Sequence, residues 1–125
     1  MSGYPKYRYL VTQPDLNAHG TLHGGILMKW VDEACGMEAK LRTARVCATR
    51  HIAAIDFTAT ARAGDIIEIS VLPNGVGRTS VSFEVVVRNA FGGVIATVDN
   101  IVFVAVDSSH KPITFPNNST GASGE

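Results

Sequence analysis

The chain has 125 residues, 46% hydrophobic and 18% charged, which supplies enough apolar material for one domain with its own core. Eleven basic and eleven acidic side chains cancel, so there is no strong positive field to attract nucleic acid or an anionic membrane, and any anionic ligand must be held by local groups. Cys35 and Cys47 have neither CxxC nor metal-ligand spacing, and no apolar stretch reaches the length of a membrane helix or the core of a signal peptide; a reduced, cytoplasmic protein is expected.

In chain order, Tyr7 to Thr12 has strand propensity, and Pro14-Asp15-Leu16-Asn17-Ala18-His19-Gly20 is rich in turn and capping residues. From Gly24 or Gly25 to about Arg42 proline is absent and Leu27, Trp30, Val31, Ala34, Met37 and Leu41 recur at spacings of three and four, which predicts one long helix. Those six form an apolar arc, with Lys29, Glu33 and Lys40 opposite and Asp32 at the border beside Met28, Cys35 and Ala39. Glu33 is spaced to pair with Lys29, whereas Glu38 projects into the apolar arc.

The pattern then turns to β: Val46–Thr60, Ile66–Leu72, Thr79–Asn89 and Val94–Val106, with Ala63-Gly64-Asp65, Pro73-Asn74-Gly75-Val76-Gly77 and Ala90-Phe91-Gly92-Gly93 as connections. Such short links imply antiparallel neighbours, and strands of this length can curl around a helix. One helix covers only one side of a sheet, so the free edge and the rest of the helix call for a second subunit, a homodimer at least. Residues 1–116 read as one domain and 117–125 as a polar, disordered tail.

Three groups of residues can carry chemistry. His23-Gly24-Gly25 opens the helix; the glycines let a ligand approach the backbone, and the first-turn N–H groups lack helical partners, which suits an oxyanion or a phosphate. The same residues also fit a tight helix entry, with His23 as a structural hydrogen-bonding group. Asp32 can act as general base or nucleophile in a cleft, although by position alone an Asp at such a border is more often a solvated surface carboxylate. Arg78, Thr79 and Ser80 follow a turn and offer a guanidinium and two hydroxyls to phosphate oxygens. P-loop, GxGxxG, HExxH and GxSxG motifs are absent, which leaves metal, nucleotide-fold and serine-hydrolase readings without support.

From Pro14 to Ala34 the run PDLNAHGTLHGGILMKWVDEA resembles the signature of the acyl-CoA thioester hydrolases of the hotdog superfamily. The likeness continues through Asp56-Phe57, Gly64-Asp65, Gly77-Arg78-Thr79-Ser80, Val104-Ala105-Val106-Asp107 and Lys111-Pro112. Relatives commonly carry Pro after the Phe-containing strand, where this chain has Thr58-Ala59-Thr60-Ala61. The resemblance implies an α+β hotdog fold, a long antiparallel sheet wrapped around one helix, with subunits paired into one continuous sheet and dimers able to assemble into a trimer of dimers. It also implies hydrolysis of acyl-CoA to a carboxylic acid and CoA, with CoA as part of substrate and product and with neither metal nor other cofactor. By the same resemblance Asp32 is the base or nucleophile, Asn17 comes from the other subunit, Gly24 or Gly25 supplies an oxyanion N–H, and Thr21, His23, Arg78, Thr79 and Ser80 contact substrate. His19 and Glu38 map onto no family role. The competing readings are a non-catalytic acyl-CoA-binding domain and a hotdog dehydratase; the presence of both Asn17 and Asp32 favours the hydrolase.

Overall fold

The computed structural model describes residues 3–116, so the expected polar tail lies outside the described residues. Its elements are β1 (Lys6–Leu10), a 3-10 turn (Gln13–Asp15), α1 (Gly24–Thr43), β2 (Cys47–Phe57), β3 (Ile66–Val76), β4 (Ser80–Asn89) and β5 (Val94–Ala105). The strands form one antiparallel sheet in the order β1-β3-β4-β5-β2, with α1 packed on it. This is the α+β arrangement, one long antiparallel sheet against one helix, that the resemblance implies.

Strand alternation builds the core. In β4, Val81, Phe83, Val85 and Val87 point inward, and the residues between them, Ser82, Glu84 and Val86, are only half-buried. Ile67, Ile69 and Val71 of β3 and Val98, Ile101 and Phe103 of β5 complete the layer under the helix, with Phe83 and Phe103 edge to face at 6.3 Å. Each such side chain removed from water contributes about 1.5–3 kcal/mol before entropy is counted.

The expected connection over Pro73–Gly77 is instead mostly strand. β3 runs on to Val76, with Gly75 opposite Ser82 and Val76 opposite Val81, because a register shift between Pro73 and Gly75 takes up the proline, which has no N–H for the ladder. The turn proper is tighter. The Gly77 N–H donates to Ser80 O at 2.8 Å, and a Cβ on Gly77 would lie 2.7 Å from Ser80 Oγ.

The helix begins and ends where expected but is rotated. Cys35 and Ala39, predicted at the border, are fully buried, whereas Met37 and Leu41, predicted inside, are 47% and 76% exposed. Small side chains at 34, 35 and 39 let the helix sit close to the sheet, a factor that hydropathy alone ranks below the bulk of Met37 and Leu41. Glu38 lies inside, as the arc predicts, because its carboxylate is satisfied: Tyr7 Oη donates to Oε1 at 3.0 Å and Arg42 Nε to Oε2 at 2.8 Å. Burial, with the Glu38 bond second, pushes the Tyr7 phenol up to about 12. Burial, then the charges of Asp32 and Glu38, pushes the Cys35 thiol up to about 12. Glu33 does not follow its predicted pairing with Lys29; it accepts from Tyr9 Oη at 3.5 Å, and the Tyr9 ring stacks on Trp30 with centroids 4.8 Å apart.

Candidate active site

Asp32 owes its surroundings to the way the chain leaves α1. Ala44, in the left-handed conformation at φ 58°, caps the helix by donating its N–H to Lys40 O at 2.8 Å, and β2 turns back along the helix. Three contacts fix that antiparallel course. Thr43 Oγ1 lies 3.4 Å from Cys47 Sγ, Thr49 Oγ1 donates to Asp32 Oδ1, and the Phe57 ring lies 3.7 Å from where a Cβ of Gly24 would be. The β2–β5 register shifts between Thr49 and His51, a bulge of the kind that re-aims a side chain. Thr49 is the site residue that the sequence reading misses: a threonine inside a strand carries no motif, and only the fold brings it to Asp32.

Asp32 opens onto a groove of about 700 Å³, lined by α1 residues Asp32, Glu33, Gly36, Met37 and Lys40, by Val46, Cys47 and Thr49 on the β2 side, and by Tyr9 and Phe103. That volume is in the range of small-molecule sites. With Thr49 bonded to Oδ1, the other carboxylate oxygen is left to accept a proton or attack a carbon.

The loop before the helix is organised around Asn17. Its Oδ1 accepts from His19 N at 2.9 Å, Thr21 N at 3.1 Å and Thr21 Oγ1 at 3.2 Å, and Gly20 turns the chain at φ 79°. The oxygen is thus committed to the loop, and the part of Asn17 that can serve a ligand is its NH₂. Thr21, predicted to touch substrate, is tied into the same network.

His23 is the N-cap of α1: its Nδ1 accepts from the Gly25 N–H at 2.9 Å, which leaves Nε2 as the ring's donor. A Cβ on Gly25 would lie 3.0 Å from that ring, so the glycine is needed for the cap. Of the two predicted oxyanion donors, the Gly25 N–H is engaged, and the Gly24 N–H stands first in the helix. None of Asn17, Thr21, His23, Gly24 and Gly25 lines the Asp32 groove of its own chain. Gly24 and Asp32 are eight helical residues apart, about 12 Å along the axis. Arg78 and Thr79 lie in the β3–β4 turn and Ser80 opens β4, with Arg78 exposed and Thr79 O accepting from Ala105 N at 2.8 Å; all three lie outside the groove lining. Among the described residues, no cluster of three His, Cys, Asp or Glu side chains could hold a metal ion, and no helix is long and apolar enough to cross a membrane.

Comparison with known proteins gives this geometry a context. Residues 19–96 match the family model of the thioesterase superfamily. An uncharacterized acyl-CoA thioester hydrolase of Zymomonas mobilis is 30% identical over 119 residues, covering 92% of this chain and 80% of its own. A Deinococcus radiodurans protein bearing an esterase name is 35% identical over 83 residues, 66% of this chain; the match spans about half, 55%, of that relative. Among solved structures, an apo-hexameric acyl-CoA thioesterase superposes with a TM-score of 0.79 at 31% identity, covering 90% of this chain and 74% of the other. An acyl-CoA hydrolase of Staphylococcus aureus, in complex with butyryl coenzyme A, coenzyme A and coenzyme A disulfide, gives 0.78 at 26%, covering 90% and 71%. With the family model matched over more than half of its length and its fold shared, the chain belongs to the thioesterase superfamily.

Proposed function

We propose that the chain is an acyl-CoA thioesterase, hydrolysing acyl-CoA to a carboxylic acid and CoA, with Asp32 as the reacting carboxylate. The observation that carries the reading is Asp32 held by Thr49 at the mouth of an apolar groove, in a member of a thioesterase family. The Staphylococcus aureus hydrolase adds support. Alanine variants of that enzyme have been characterised at an Asn, at an Asp fifteen positions later and at a Thr seventeen beyond it. Asn17, Asp32 and Thr49 stand at the same intervals.

Thr49 fixes one oxygen of Asp32. The other takes a proton from water as the water attacks the thioester carbonyl, or itself attacks to give a mixed anhydride that water then opens. In either course the C–S bond breaks, the sulfur leaves with the electron pair and takes a proton, and the acyl carbon gains the oxygen of water. The carbonyl oxygen becomes an oxyanion that needs a donor. The Gly24 N–H of the same chain sits about two turns away on the same helix, so the oxyanion donor and the Asn17 NH₂ for a given Asp32 come from the partner subunit.

Two features favour that partnership: β2 is an edge strand of eleven residues, and Met37 and Leu41 stand exposed on the open side of α1. A homodimer joined along β2 covers both and completes two sites, and the hexameric relative fits further assembly of dimers. One domain spans residues 1–116, Arg78, Thr79 and Ser80 meet CoA phosphates, and the free thiols Cys35 and Cys47 fit a reducing cytoplasm. Release of CoA from acyl-CoAs of several chain lengths, followed by a thiol-reactive dye, tests the reading. Asp32→Asn is expected to lower kcat by about 10²- to 10⁴-fold. Acyl-CoA binding without release by the parent protein would leave a binding domain instead, and a parental rate in Asp32→Asn would remove Asp32 from the chemistry.

A further inference from the structure

We infer that the part of the groove running from Asp32 to Lys40 receives the acyl chain, and that Gly36 sets how far activity rises with chain length, up to about ten carbons. This rests on the acyl-CoA hydrolase reading and names the substrate class within it.

Asp32, Gly36 and Lys40 are spaced by four and form one row along α1. Facing them, Thr49 meets Asp32 at one end, Phe103 lies under Gly36, and Val46 and Cys47 belong to the same lining. Gly36 lines the groove without a side chain of its own. A Cβ there would meet a single neighbour, Phe103 Cε2 at 3.6 Å, so the backbone leaves room beside the aromatic ring that a larger side chain is expected to take up. Between Asp32 and Lys40 the lining is largely apolar, with a bare glycine, the Phe103 ring, Met37, Val46 and a thiol, and besides Thr49, Tyr9 and Glu33 are its other polar members. A methylene chain is at home along the glycine, ring, Met37 and Val46, whereas a pantetheine amide placed there would lose water to mostly apolar neighbours.

The row also has a measurable length. Eight residues at the helical rise make about 12 Å, the span of about nine or ten carbons in an extended chain. Lys40 stands at the end of that span, and a longer chain would have to pass its ammonium group, where burying further methylenes brings no gain.

The test compares kcat/KM from acetyl-CoA to palmitoyl-CoA in the parent protein, Gly36→Ala and Gly36→Leu, with circular dichroism as the check on folding. Alanine meets Phe103 at an ordinary contact distance and favours helix, so Gly36→Ala retains the fold if leucine does not. In the parent, kcat/KM is expected to rise up to about ten carbons and then to level off. Gly36→Leu is expected to lower the decanoyl-to-acetyl ratio by about tenfold or more, and Gly36→Ala by a few-fold. An unchanged ratio in both variants, or an equal loss at every chain length, would overturn the inference; the latter would assign the groove to the CoA arm. A parent that releases no thiol from any acyl-CoA would overturn the hydrolase reading itself and this inference with it.

Discussion

The Thr49 hydroxyl donates to one oxygen of Asp32, which restrains the carboxylate beside the groove that it lines. Thr49→Val keeps the shape and removes the donor. It is expected to lower kcat by about tenfold or more with little change in KM, as befits a group that positions rather than binds, whereas Thr49→Ser restores most of the rate; steady-state kinetics checks both. A valine variant with parental kcat would mean that the contact is incidental. Asp32 and Asn17 were visible in the sequence as candidates because each stands in a dense motif with Gly24 and Gly25. Thr49 was not, since its link to Asp32 depends on a chain reversal at Ala44 and on a bulge beside it. The commitment of the Asn17 oxygen to Thr21 and His19 was equally invisible, because a motif fixes residue types and not the direction of a hydrogen bond.

At the scale of the element, α1 carries the site on one side and a buried carboxylate on the other. Tyr7 Oη and Arg42 Nε hold Glu38 inside, and removing the phenol oxygen leaves Oε1 without a partner. Tyr7→Phe is expected to cost about 1–3 kcal/mol at neutral pH by denaturant melt. The same contact sets an alkaline limit. Tyr7 rises from 10.0 to about 12 on folding, so the native state holds the proton more tightly than the unfolded chain; that stability is whole below pH 10 and is lost as the pH climbs through 12. Cys35, raised from 9.0 to about 12, adds a loss that begins nearer pH 9. Melts across pH 8–12 are expected to fall over this window, with a shallower fall above pH 10 in Tyr7→Phe; parallel curves would contradict the assignment. The bounds of α1 were legible from its periodicity, but its rotation was not. Which arc faces inward was decided by small residues and by hydrogen bonds to Glu38 from β1 and from the next turn, and hydropathy registers neither.

For the whole molecule, the number of long strands, their antiparallel order after the helix and the single core were all foreshadowed by turn residues and alternation. The continuation of β3 through Pro73 was not, because a bulge can hide a proline inside a ladder. What the single chain leaves open is consistent: a bare β2 edge, exposed Met37 and Leu41, and an Asp32 groove that none of the residues from Asn17 to Gly25 lines. The proposed site completed by a second subunit would account for all three. The direct measurement mixes two variants each expected to have lost activity, Asn17→Ala and Asp32→Asn, under conditions in which subunits exchange, and follows thiol release from an acyl-CoA. Mixed dimers carry one site with both residues intact, so activity is expected to return to as much as half the parental rate per mixed dimer. Mixed dimers that form and stay inactive would contradict a shared site.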